Sequence, residues 1–176
     1  TGEAMVKYSD DQIVDLIIES YVGKKIILLA PKIRGRKGHY RELFEQITKL
    51  GFTKVRVDGE LQEITRGMKL DRYKIHDIDI VIDRLDLKQQ DRTRVYEGVV
   101  TAMKHGSKAM MVMDFETGEV RHFSRALMCP TTGISYPDPE PSLFSFNSPY
   151  GACKKCSGLG EVAEVDINKI IPDTSV

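Results

Sequence analysis

Residues 75–87 place the tightest constraint on what this chain can fold into. Ile78, Ile80 and Ile82 alternate with Asp77, Asp79 and Asp83. A period of two puts the two sets on opposite faces of an extended strand, one apolar and one wet. The alternation slips after Ile82, because Leu85 and Leu87 take the opposite parity, which predicts a β-bulge or a strand end near Asp83-Arg84. Successive carboxylates on one strand face lie ~7 Å apart, too far for two neighbours to share a cation easily. Asp77, Asp79, Asp83 and Asp86 therefore read as a solvated sheet face rather than a metal site.

Helical periodicity brackets this strand. Ser9 with Gln12 forms a capping box, and Ile13, Leu16, Ile17 and Tyr21 follow on one face, with Gly23 placed to end the helix. A second helix is predicted over about 39–50, with an apolar stripe of Tyr40, Leu43, Phe44, Ile47 and Leu50 before Gly51. A third covers about 91–104, burying Val95, Val99 and Met103 ahead of Gly106. Residues 25–30 read as a buried strand stopped by Pro31. Residues 52–57 alternate and run into the turn signal Asp58-Gly59. The strand–helix–strand order over 25–57 makes a parallel pair plausible, and a hairpin is predicted around Glu116-Thr117-Gly118. The expectation is an α+β fold: a mixed sheet with about three helices.

Lys+Arg and Asp+Glu both count 26 in 176 residues, so any electrostatic partner must be met by a local patch. A hydrophobic fraction of 41% supports a globular core. No apolar run reaches the ~18 residues of a membrane span, and the N-terminus lacks the pattern of a signal peptide. The first residue is Thr1 and the final pattern is unfinished, so the chain reads as a piece of something larger. Three cysteines do not make a disulfide framework, and a reducing, cytoplasmic setting is expected.

Composition changes at about Ser124: five of the seven prolines lie between Pro130 and Pro149, and all three cysteines, Cys129, Cys153 and Cys156, follow the change. The expected organisation is an α+β domain over 1–124, a Pro-rich, zinc-knuckle-like module over 125–160, and the start of a further segment over 161–176. Two facing C-x-x-C knuckles would supply the four thiolates of a structural zinc site. Here Cys153 and Cys156 complete one knuckle, but Thr132 stands where the other needs its second cysteine. Free cysteines in a relic knuckle are the expectation. Zinc held by Cys129, Cys153, Cys156 and a borrowed ligand is the alternative.

The run Leu143-Phe144-Ser145-Phe146-Asn147-Ser148-Pro149-Tyr150-Gly151-Ala152-Cys153-Lys154-Lys155-Cys156-Ser157-Gly158-Leu159-Gly160 resembles the signature that follows the partner-docking domain of the UvrA family. Leu28-Leu29-Ala30-Pro31, Arg34-Gly35-Arg36-Lys37-Gly38, Arg56-Val57-Asp58-Gly59-Glu60 and Val81-Ile82-Asp83-Arg84-Leu85 are similar to the same family, in the same order. The resemblance implies a parent that dimerises, hydrolyses ATP with Mg²⁺ in two ABC-type modules, scans DNA for distortion and loads the helicase subunit UvrB. It also implies that Lys54 and Arg84 match basic residues used to contact UvrB. Where the family often has Arg, position 54 is Lys, which keeps the charge but weakens bidentate pairing.

The residues themselves offer no catalytic set. No G-x-x-x-x-G-K-[ST] phosphate loop occurs, and His39, His76, His105 and His122 are scattered. A non-catalytic binding role is expected, with Lys54, Arg56 and Arg84 as partner-binding residues on a sheet. The rival is direct DNA binding, in which Arg34, Arg36 and Lys37, read as a basic loop before a helix, contact phosphate together with the cysteine knuckle.

Overall fold

The computed structural model describes residues 2–88, 91–136, 141, 144–148 and 151–162. The chain divides into two compact units, Thr1–Pro137 and Asp138–Val176.

In the first unit α1 (Asp10–Tyr21) starts at the expected capping box. Gln12 N–H donates to Ser9 Oγ (3.3 Å), and Ser9 N–H donates to Gln12 Oε1 (2.9 Å). There follow β1 (Lys25–Lys37), α2 (Arg41–Lys49), β2 (Lys54–Val57), β3 (Glu60–Glu63), β4 (Ile75–Asp86), α3 (Arg92–His105), β5 (Ala109–Asp114) and β6 (Val120–Ser124). Two short strands, β7 (Leu127–Met128) and β8 (Ser135–Tyr136), pair with each other, and Val6 bridges to Met128.

The six long strands form one sheet in the order β3-β2-β4-β1-β5-β6, and every neighbouring pair is antiparallel. This corrects the expected mixed sheet. β1 and β2 do point the same way, as a strand–helix–strand connection requires. They never pair, because β4 lies between them, antiparallel to both. The turn signal at Asp58-Gly59 closes the two-residue β2–β3 hairpin, with both residues at positive φ (52° and 95°). That geometry matches the twist of the flanking strands and favours Asp-Gly.

Two predicted boundaries moved. β1 does not stop at Pro31 but runs on to Lys37, since register shifts on either side of Ile33 absorb the missing donor. The basic loop expected over 34–38 is therefore mostly strand. In β4 the bulge falls at Ile82, one residue before its predicted place: Leu28 faces Asp83 while Leu29 faces Val81. The extra residue turns Leu85 and Leu87 back into the core and sends Arg84 to the other face.

One face of the sheet packs beneath the helices. Leu28, Ile78, Ile80 and Phe123 meet Ile13, Ile17, Phe44, Ile47, Val95 and Val99 in one continuous core. Each such fully buried side chain contributes roughly 1.5–3 kcal/mol relative to exposure. Arg125 clamps the start of α1 through two hydrogen bonds to the Asp10 carboxylate, both 2.6 Å.

The second unit is built from turns. Ser157 N–H donates to Cys153 O (2.7 Å), and Gly158 follows at φ 88°, where a Cβ would lie 2.1 Å from Phe146 O. Only glycine fits there. Leu143, Pro149 and Tyr150 of the family-like run, and residues 163–176, lie outside the described residues.

Candidate partner-docking face

The sheet face turned away from the helices is the feature that the three-helix cover leaves over. Its centre is a second, smaller apolar cluster of Ile27, Leu29, Met111 and Met113, all four buried, with half-buried Val81 and Val120 against it, while Leu61 and Phe115 nearby are exposed. The six cluster residues come from strands. Strand parity explains the set: Ile27 and Leu29 alternate with core-facing Leu28, and Met111 and Met113 stand opposite them across the β1–β5 ladder.

Basic residues rim this patch. Lys54 and Arg84 are exposed and, among the described residues, neither makes an ion pair. Together with Ile27, Leu61 and Val81 they line a hollow of about 290 Å³. Arg84 faces Ile27 across the ladder because of the bulge at Ile82, and its guanidinium stacks over Phe115, 3.8 Å from the ring centroid. A guanidinium held over an aromatic ring loses little further freedom when it binds a carboxylate.

Arg56 belongs to the same face but is committed internally. Its Nη1 donates to Asp79 Oδ2 (3.4 Å) and its Nε to Gly59 O (3.3 Å). Arg34 pairs with the other Asp79 oxygen and donates to Met111 Sδ (3.4 Å). Asp79, read from sequence as a wet-face carboxylate, is only 2% exposed. Burial pushes its carboxyl up from the ordinary value, and the positive charge and hydrogen bond of Arg34, with the charge of Arg56 behind them, pull against that rise. The parity of Asp79 was read correctly. Its two cationic covers sit on other strands, and no local pattern announces them.

Arg36 and Lys37 lie at the end of β1, exposed, facing His76 and Ile75 across the ladder. They are on the same strand as Arg34 but have no part in the Asp79 cluster. Phe115 and Leu61 were not singled out in the sequence, although Met111, Met113 and Phe115 continue one period-two series that could have revealed the first.

The cysteines divide between the units, with Cys129 in the first and Cys153 and Cys156 in the second. Cys129 Sγ lies 3.5 Å from Glu3 Oε2. Backbone N–H groups of Cys156 and then Lys155 lower the Cys153 thiol, and Gly160 N–H donates to Cys156 Sγ (3.3 Å). The donors at Cys153 favour its thiolate, and the two cysteines, three residues apart on one turn, have the spacing of a pair of zinc ligands. Thr132 offers only a neutral hydroxyl, and among the described residues no group of three or more His, Cys, Asp or Glu side chains is gathered.

Residues 9–116 match the family model described as the UvrA interaction domain. The chain is 44% identical over 99% of its length to UvrABC system protein A of Thermus thermophilus, covering 19% of that protein. It is 42% identical over 94% of its length to UvrABC system protein A of Aquifex aeolicus, and 40% over 97% to that of Methanothermobacter thermautotrophicus, covering 18% of each. The chain thus spans about a fifth of the length of the curated relatives it matches. With its sheet, helices and open face all inside or beside the matched segment, the chain belongs to the UvrA interaction domain family.

Proposed function

We propose that the open sheet face docks the helicase subunit UvrB, and that the chain serves a UvrA-type protein in nucleotide excision repair by bringing UvrB to damaged DNA. The observation that carries this reading is the grouping of two cations, Lys54 and Arg84, which make no ion pair among the described residues, with the exposed apolar side chains Leu61 and Phe115 on one side of the sheet. A partner with a small apolar surface flanked by carboxylates is complementary to it, and arginine is enriched in such interfaces. ATP binding and hydrolysis are assigned to the rest of the longer parent, so the chain itself is a binding module without turnover.

The test is a calorimetric titration of UvrB into the wild-type chain and into Lys54→Glu/Arg84→Glu. Reversal should weaken binding by about 2 kcal/mol or more, because lost attraction is joined by repulsion. Arg36→Glu/Lys37→Glu, on the same sheet but away from the hollow, should bind as wild type. If the two variants rank the other way, the docking face is misplaced.

A further inference from the structure

A second surface stands out by its charge balance. Arg36 and Lys37 at the end of β1, and Lys69, Arg72 and Lys74 in the segment leading into β4, are five cations against one acid within those two segments, Asp71. The fold brings the two segments together. Lys37 faces Ile75 across the β1–β4 ladder, Leu70 N–H donates to His39 O (2.9 Å), and Arg72 lines a hollow with Gly38, His39 and Tyr40.

All five cations are exposed, and among the described residues none makes an ion pair. Elsewhere in the chain arginines are mostly matched: Arg34 and Arg56 with Asp79, Arg41 with Glu45, Arg92 with Asp15, Arg94 with Asp83 and Arg125 with Asp10. Glu42 also lines the Arg72 hollow, so the balance there is five cations against two acids. Two of the carboxylates at or beside the patch are engaged by backbone. Asp71 accepts from Tyr73 N–H (3.0 Å), and Asp77 accepts from Gly35 N–H (2.7 Å). In a chain of no net charge, an unneutralised cluster at one end is a local arrangement and not a reflection of composition.

We infer that this edge is a contact site for the phosphodiester backbone of a nucleic acid. Three of the five cations are lysines. Lysine is depleted in protein–protein interfaces, but as a flexible point charge it suits a phosphate track. Tyr73, 68% exposed beneath the Arg72 guanidinium, gives the same edge a flat aromatic surface for a sugar or base. The site is independent of the UvrB reading, because none of its residues lines the hollow between Lys54 and Arg84.

The test is fluorescence anisotropy of a labelled 20-base-pair random-sequence duplex, and of one of its strands, titrated with the chain over a range of KCl concentrations. Binding should be steeply salt-dependent. Five phosphate contacts give a log–log slope of about −4 to −5 on duplex, at about −0.9 per contact. The variant Lys37→Gln/Lys69→Gln/Lys74→Gln should bind at least about tenfold more weakly at about 50 mM salt, with a slope shallower by about 3. Its thermal melt, followed by circular dichroism, should match wild type, since the changes are exposed and conservative in length. Arg36→Gln/Arg72→Gln provides a second reading should the triple variant melt early. Binding to either duplex or single strand that these changes abolish supports the site. No binding at low salt, binding that neither variant alters, or displacement by polyglutamate as effective per charge as by unlabelled DNA would overturn it. The last outcome would mark the edge as a seat for an acidic protein.

Discussion

The guanidinium of Arg84 lies over the ring of Phe115, 3.8 Å from its centroid, although Arg84 is on β4 and Phe115 directly follows β5, with β1 between those two strands. The bulge at Ile82 makes this stacking possible by turning Arg84 onto the open face. Phe115→Ala should leave the charge in place but free the side chain, and cation–π contacts at exposed sites contribute about 0.5–1 kcal/mol. UvrB affinity should fall by roughly two- to fivefold, Arg84→Ala should cost more, and the double variant should cost less than the sum. Additive losses in calorimetry would mean that Phe115 acts independently of Arg84.

Asp79 holds two guanidiniums at once and is itself nearly inaccessible. Removing one partner of a fully buried pair costs about 3–5 kcal/mol. Here Arg34 and Arg56 keep 44% and 21% of their side-chain exposure, so water relieves much of the loss. Asp79→Ala should destabilise by about 2 kcal/mol in urea melts, with the slope unchanged, and Asp79→Asn by less.

His76 is a pH-dependent brace. Its Nδ1 meets Asp58 Oδ2 at 2.7 Å and its Nε2 meets Asp71 O at 2.8 Å, so the doubly protonated ring satisfies both acceptors. The Asp58 hydrogen bond, then that to Asp71 O, raises the His76 pKa above 6.5. A histidine raised on folding lends stability that is fully present below its unfolded value and is lost as pH climbs through the folded one. His105 and His122, pushed down by burial, act in the opposite sense. The informative quantity is therefore the melting-temperature gap between wild type and His76→Gln, which should shrink from about pH 6 to about pH 9. A constant gap would assign His76 a packing role alone.

Zinc, if taken up, should be substoichiometric and easily removed by a chelator, because Thr132 leaves one thiolate short of the usual four. Elemental analysis before and after chelation measures this directly, and Thr132→Cys should raise retention. One tightly held zinc per wild-type chain would count against the expectation.

What could be read from the sequence was mostly local. The Ser9–Gln12 box, the Asp58-Gly59 turn and the stripes of α1 and α3 each follow from residues within a few positions of one another. β3 went unseen because Glu60-Leu61-Gln62-Glu63 is exposed along its whole length and poor in strand-forming residues. It is a strand because β2 pairs with it across the hairpin. The burial of Asp79 and the place of β4 between β1 and β2 depend on partners distant in sequence. Lys54 and Arg84, expected on the sheet, line one hollow, whereas Arg34 and Arg56 are largely occupied with Asp79.

The position of β4 between two strands that precede it also governs how the domain can assemble. Ile26 takes its partners from Leu85 on one side and Asp114 on the other, so the most apolar strand has two open edges until most of the domain has been synthesised. Pairings so distant in sequence slow folding, toward the millisecond-to-second range. An unpaired run of Ile26-Ile27-Leu28-Leu29-Ala30 meanwhile offers a template for the same run in a neighbouring chain. A chain truncated between α3 and β5 would carry that edge permanently, so its expected fate is aggregation rather than a smaller stable domain.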